Sequence, residues 1–137
     1  MGLFALLRRR PFLTPDERKQ IAAGLAEAAR CTRARIGLVI EARAREDPST
    51  LAPRRLEEFL PEAERGRAIL LYVREHPPGF AVAAGEEVRR VTPIPFWELL
   101  DRDLRHHFDE ARYCDGIFKA LSQIALQLEH HYPPLRR

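Results

Sequence analysis

The residues of this 137-residue chain that could do chemistry are carboxylates, histidines, arginines and two cysteines. Glu46-Asp47 lies in a charged stretch from Glu41 to Thr50, and Glu86-Glu87 follows an apolar run that ends at Ala84. Carboxylates from such loops can hold a hard cation, Ca2+ or Mg2+, when several oxygens converge on one point. Glu46, Asp47 and Glu86 are therefore the candidate metal ligands, and metal-dependent hydrolysis is the chemistry they would serve. Solvated surface charge accounts for the same residues more simply. Four of the five histidines come as His106-His107 and His130-His131. Neighbours on a helix point about 100° apart, so neither pair chelates alone. Asp103, four residues before His107, makes a same-face surface pair. Cys31 and Cys114 have no metal or redox spacing and read as free, packed thiols. Of the two, Cys114 sits near a helix start, where a thiol pKa can fall. Ser49 and Ser122 lack a nucleophile elbow, so no catalytic residue is assigned.

These side chains are positioned by a pattern centred on Ala68-Ile69-Leu70-Leu71-Tyr72-Val73. A continuous apolar run followed by Pro77-Pro78-Gly79 suits a strand covered on both faces, because alternation disappears when neither face meets water. Thr14-Pro15-Asp16-Glu17 starts a helix that runs to about Arg30. Ile36–Ile40 is a first strand, and Asp47-Pro48-Ser49 marks a turn. Pro53 opens a second helix with Leu56, Phe59, Leu60 and Ala63 inward, ending near Gly66. Strand, helix and strand make a right-handed crossover with the two strands parallel. Gly79–Ala84 returns antiparallel beside the central run. Residues 86–95 hold a short strand or a turn of helix. A helix from Pro95 turns Phe96, Leu99, Leu100, Leu104 and Phe108 inward, with Trp97 as a core anchor. A last helix from Tyr113 carries Ile117, Leu121, Ile124 and Leu128 and stops before Pro133-Pro134. The expected fold is a three-layer α/β/α sandwich with a small mixed sheet.

In this topology the loops leaving the two parallel strands gather Glu41, Arg43, Arg45, Glu46, Asp47 and His76 at the edge where open α/β sheets bind ligands. The antiparallel third strand ends at the opposite edge, which makes one cluster of Glu46, Asp47 and Glu86 hard to build. Arg33 and Arg35 stand roughly 30 Å from Arg43 and Arg45 along the strand, too far for one phosphate cradle. Gly85 alone is no glycine-rich loop.

The length fits one domain, and 45% hydrophobic with 31% charged residues describes a folded globule. The net charge of +3 does not demand an anionic partner, and acids interrupt the basic residues, so nucleic acid is not expected. All basic residues except Lys19 and Lys119 are arginine, and there is no asparagine. A thermophile and a GC-rich genome explain that bias equally well. Met1–Leu7 is apolar and is followed by Arg8-Arg9-Arg10. That order is wrong for a secretory signal and the stretch is too short to span a bilayer. It suits a frayed or core-docked terminus, or weak contact with a membrane surface.

Phe12-Leu13-Thr14, Thr32 before an Ile-rich strand, Arg65-Gly66 leading into Ala68–Val73, Ala81–Gly85, Phe96-Trp97, Phe108, Tyr113, Gly116-Ile117 and His131-Tyr132-Pro133 occur here in one order. Over residues 12 to 133 the chain resembles the TPM domain family. The resemblance implies an α/β/α sandwich in a family whose members are diverse: plant thylakoid-lumen members with acid phosphatase activity, a receptor auxiliary protein, and bacterial members that bind a divalent metal through acids. Relatives carry Glu three residues before the threonine and three after it, where this chain has Ala29 and Arg35. Their Gly-Asp-x-Gly reads Gly85-Glu86-Glu87-Val88 here. These departures argue against a family-type metal site.

The expectation is thus a single domain over 12–133, preceded by an apolar and basic segment (1–11) and followed by a basic tail (134–137). Its function is a non-catalytic binding or scaffolding module beside a membrane-associated protein partner, with no cofactor, cytoplasmic or peripheral to the membrane. The alternative is a Ca2+- or Mg2+-binding, acid-phosphatase-like enzyme using Glu46, Asp47 or Glu86.

Overall fold

In the computed structural model, which describes residues 11–135, the chain folds around one strand. Strand β2 (Ala68–His76) is buried at every position from Ala68 to Val73. It pairs in parallel with β1 (Arg35–Arg43) and antiparallel with β3 (Gly79–Ala84), in the order β1-β2-β3. Side chains alternate across the sheet. Ile69, Leu71 and Val73 face one way with Ile36, Leu38, Ile40, Phe80 and Val82. Leu70 and Tyr72 face the other with Val39, Ala81 and Ala83. Both faces are therefore hydrophobic and both need a cover, which produces three layers.

The first face is covered by α1 (Pro15–Arg30), α5 (Ile94–Asp109) and α6 (Tyr113–His131). Helix α1 opens with the expected capping box: the Glu17 N–H donates to the Thr14 hydroxyl at 3.1 Å, and the Thr14 N–H to the Glu17 carboxylate at 2.9 Å. Helix α6 buries Ile117, Leu121, Ile124 and Leu128, as its periodicity predicts. On α5 the inward stripe is Leu100, Leu104, His107 and Phe108. Leu99, expected inward, is 41% exposed. It lies about 100° around the helix from Leu100, outside a stripe of that width. Glu86–Val91 forms a short helix, α4, with Val88 fully buried.

The opposite face is covered by α2 (Pro48–Phe59) alone, through Leu51, Ala52 and Leu56. This corrects the expected start at Pro53 and the expected turn at Asp47-Pro48-Ser49. Asp47 takes the extended N-cap conformation and Pro48 the first helical position, where a missing N–H costs nothing. Pro53 lies inside the helix, where it forgoes the i−4 bond. The helix then stops at Phe59, and Ala63 belongs to a separate turn, α3 (Glu62–Arg65). Phe59, on the last helical residue, is 63% exposed, while Leu60, in extended conformation, packs against the core. Gly66 closes α3 with φ −59° and ψ −35°, not in the left-handed conformation that favours glycine at helix ends.

Candidate functional site

The C-terminal ends of β1 and β2 hold a polar network built on Glu41. Its side chain falls on the α2 face, two residues beyond Val39, which pairs in register with Tyr72. The Tyr72 ring belongs to the core, so its hydroxyl needs a partner inside the protein. It donates to Glu41 Oε1 at 2.6 Å. Arg55, on α2, donates Nε to Glu41 Oε2 at 2.9 Å and Nη2 to Oε1 at 3.3 Å, and reaches Glu58 at 3.2 Å. The Arg55 bond, then the Tyr72 bond, hold the Glu41 carboxyl below the usual range. Burial, reinforced by the Glu41 carboxylate, pushes Tyr72 up to about 12. A carboxylate locked ionised beside a phenol locked neutral cannot exchange protons near neutrality. The network is structural, tying α2 to β1 and β2.

Glu46 is gripped by Arg54 through two bonds of 2.8 and 3.0 Å, which lower its pKa. Its backbone carbonyl accepts from Arg74, which also donates to the Pro77 carbonyl and so ties this loop to the hairpin turn. Asp47 holds the N-cap position of α2 without a side-chain capping bond. An open depression of about 490 Å³ lies between Glu41, Arg43, Arg45, Glu46 and Arg55. A second, of about 660 Å³, opens between the hairpin and the starts of α1 and α6, lined by Glu17, Glu75, His76, Arg112 and Asp115. Glu75 there is bonded to Arg18 at 2.7 Å.

Glu86 stands at the other end of the sheet. It follows Ala84, which pairs with Ile69 at the start of β2, whereas Glu46 and Asp47 lie beyond the end of β1. The length of β2, roughly 26 Å at 3.3 Å per residue, lies between. The three candidate ligands are not brought together. Among the described residues, no three His, Cys, Asp or Glu side chains group as an ion would require.

Two other expectations change. His107 is buried, and its Nδ1 donates to the Asp103 backbone carbonyl at 2.7 Å, so it is not a surface pair with the Asp103 carboxylate. That carboxylate instead accepts from Gln123 at 3.0 Å and lies 3.4 Å from Lys119. Cys114 is buried with its thiol pKa raised, by burial and then by the carboxylates of Glu17 and Asp115, so the helix start does not activate it. Both cysteines are free. Trp97 is half-buried: it packs on the core and against Phe96, and also lines a groove of about 320 Å³ along β3. Met1–Arg10, where contact with a membrane surface is expected, lie outside the described residues.

The model of the TPM domain matches residues 9–127. The chain belongs to the TPM domain family. Its fold is similar to that of BA42 from the psychrophilic bacterium Bizionia argentinensis, with TM-score 0.77, 18% identity, and coverage of 94% of this chain and 90% of that one. It is also similar to the N-terminal domain of a P. gingivalis protein, with TM-score 0.70, 11% identity, and coverage of 92% and 83%. No curated protein matches significantly.

In this TPM domain the positions where relatives carry acids fall at the N-terminal end of the parallel strands. Ala29 lies in the last turn of α1, Arg35 begins β1, and the Gly85 N–H donates to the Ala68 carbonyl at the start of β2. Thr32 is the buried centre of this end. Its hydroxyl bonds the Leu128 and Tyr132 carbonyls and accepts from the Ala34 N–H, joining the start of β1 to the end of α6. Around it Arg35 pairs with Glu64 at 3.5 Å and Arg67 with Glu87 at 3.0 Å, and Arg33 lies over the Tyr132 ring. Glu64 and Glu87 here are paired with guanidinium groups, Glu86 stands without a second free carboxylate grouped beside it among the described residues, and two acidic positions are Ala and Arg. This donor set does not fit a hard cation, which needs several free oxygens at once.

Proposed function

We propose that this TPM domain is a non-catalytic binding or scaffolding module that acts beside a membrane-associated protein partner. One observation carries the reading: Glu41, Glu46 and Glu75 at one end of the sheet, and Glu64 and Glu87 at the other, are each ion-paired with an arginine. A hydrolytic metal centre needs carboxylates free to converge on one ion, and a general acid needs a raised pKa. Glu41 and Glu46 are shifted the other way. The module reading also fits the apolar residues left on the surface, Phe59, Ile94 and Leu126 among them. Proximity to a membrane rests on the sequence Met1–Arg10, apolar and then basic, which suits an anionic lipid surface. None of the described helices is long and apolar enough to cross a membrane.

Two measurements test this. Backbone NMR during titration with Ca2+, Mg2+ and Mn2+, with a p-nitrophenyl phosphate assay in parallel, should give no saturable shifts and no metal-dependent turnover. Shifts centred on Glu46, Asp47 or Glu86 with metal-dependent hydrolysis would establish the phosphatase-like alternative instead. Co-sedimentation with phosphatidylserine vesicles should weaken on removal of residues 1–10, and equal binding by both forms would remove the membrane from the proposal.

A further inference from the structure

Strand β3 is an edge of the sheet, and its sequence, Gly79-Phe80-Ala81-Val82-Ala83-Ala84, contains no charge and no proline. Those are the usual devices that keep an exposed edge from pairing. The opposite edge, β1, has them in Arg35, Glu41 and Arg43. The phase of β3 is fixed by the Gly85 N–H, which donates to the Ala68 carbonyl at 2.8 Å. In an antiparallel ladder the N–H and C=O of one residue point the same way, and the direction alternates along the strand. Gly79, Ala81 and Ala83 therefore face β2. Phe80, Val82 and Ala84 turn theirs outward, where no other strand lies among the described residues.

These outward residues are symmetric about Val82. A copy related by a two-fold axis through Val82, normal to the sheet, sets Val82 opposite itself and Phe80 opposite Ala84, so every outward N–H and C=O on both strands is met. Directly opposed residues share a face in an antiparallel pair, so this register keeps the two layers of each copy continuous. On the other face Ala81 then meets Ala83. No charge is opposed, and the one large side chain, Phe80, faces the small Ala84. The groove beside the strand is self-complementary in charge as well. Arg89, which follows the Ala84 end, has no carboxylate within bonding distance among the described residues, and Asp101 lines the same groove. Arg105 lies over Phe80 and holds Asp101 at 3.0 Å, placing that acid toward the Phe80 end. The two-fold brings Arg89 of each copy toward Asp101 of the other.

We propose that β3 pairs antiparallel with β3 of a second copy about an axis at Val82, joining two three-stranded sheets into one. The contact is short, so the dimer is weak and reversible. Sedimentation of the full chain from about 10 µM to about 1 mM should show the mass rising from monomer to dimer. Val82→Pro removes the N–H at the axis and leaves the ladder to β2 intact, since that N–H faces outward, a position where edge strands accept proline. It should stay monomeric throughout and keep the circular dichroism of the parent, with a somewhat lower melting temperature because the Val82 side chain packs on the core. Val82→Glu and Val82→Lys place like charges against each other across the axis. Each alone should be monomeric, and their equimolar mixture should restore the dimer. A parent chain monomeric at the top of the range, a Val82→Pro variant that still dimerises, or a Glu/Lys mixture that stays monomeric would each overturn the proposal.

Discussion

Two glycines in contact across the N-terminal end of the sheet should respond to the same substitution with opposite signs. Gly85 leads from β3 into α4, and a Cβ built there lies 1.8 Å from the Arg65 carbonyl oxygen and 2.5 Å from that of Gly66. Ordinary contact begins near 3.4 Å. Both obstacles are backbone, and the Gly66 carbonyl accepts from the Val88 N–H while the Gly85 N–H bonds to Ala68, so neither segment moves without losing a hydrogen bond. Overpacking a core costs about 1–3 kcal/mol where side chains can yield, and here they cannot. Gly85→Ala should therefore cost about 3 kcal/mol or more, lowering the melting temperature by roughly 10 °C in a chain of this size. Gly66 has φ −59° and ψ −35°, and a Cβ there meets nothing within 4 Å. Gly66→Ala should stabilise by about 0.4–1 kcal/mol, because it narrows the unfolded ensemble at no cost to the folded one. Urea unfolding followed by the fluorescence of Trp97 and by circular dichroism measures both variants, and an unchanged m-value licenses the comparison. A Gly85→Ala variant within about 0.5 kcal/mol of the parent would refute the argument that these carbonyls are fixed. Loss of stability in Gly66→Ala would refute the helical assignment of Gly66.

The Glu41 network predicts a specific alkaline signature. The folded-state pKa of Tyr72, about 12, lies above the ordinary value of 10.0, so its contribution is complete below pH 10 and is lost as the pH rises toward 12. Tyr72→Phe should cost about 1–2 kcal/mol at pH 7 and flatten that part of the alkaline stability curve; urea titrations from pH 8 upward that superimpose in slope would contradict it. Ala111, between α5 and α6, has φ 57°, where a Cβ is strained, so Ala111→Gly should raise stability by up to about 1 kcal/mol in the same assay. Iodoacetamide at pH 8, followed by peptide mass spectrometry, should alkylate partly exposed Cys31 well before buried Cys114, and equal rates would refute the burial argument.

Much of this fold was legible because local signals and the global fold agree. The run Ala68–Val73 is continuous because both its faces are covered, and Thr14-Pro15-Asp16-Glu17 is a helix start whose capping bonds form as written. The errors fall where a local rule admits two outcomes. Asp47-Pro48-Ser49 reads equally as a turn and as an N-cap followed by a proline at the first helical position, and tertiary packing of Leu51 and Ala52 on the sheet decides for the helix. Gly66 is a glycine at a helix end without the conformation that usually puts one there. Its neighbour across the gap, Gly85, carries the steric constraint instead, and no local pattern distinguishes the two.

The chemistry was less legible, because charge type is written locally and charge pairing is not. Glu41 reads as one more acid in a charged loop until parallel pairing brings Val39 beside Tyr72 and α2 lays Arg55 across the end of the strands. One signal was present in the sequence: a tyrosine inside a fully buried strand must find a partner for its hydroxyl, and a parallel neighbour ending in Glu41 can supply it. The same reasoning links both ends of the sheet. With 21 arginines against 20 acids, carboxylates on this surface tend to meet guanidinium groups, and at Glu41, Glu46, Glu64, Glu75 and Glu87 they do. Each pair removes an oxygen donor from any prospective ion and adds a crosslink between elements. What this leaves without an ion pair is β3, whose uncharged sequence contributes no such crosslink and whose outward N–H and C=O groups meet no other strand among the described residues.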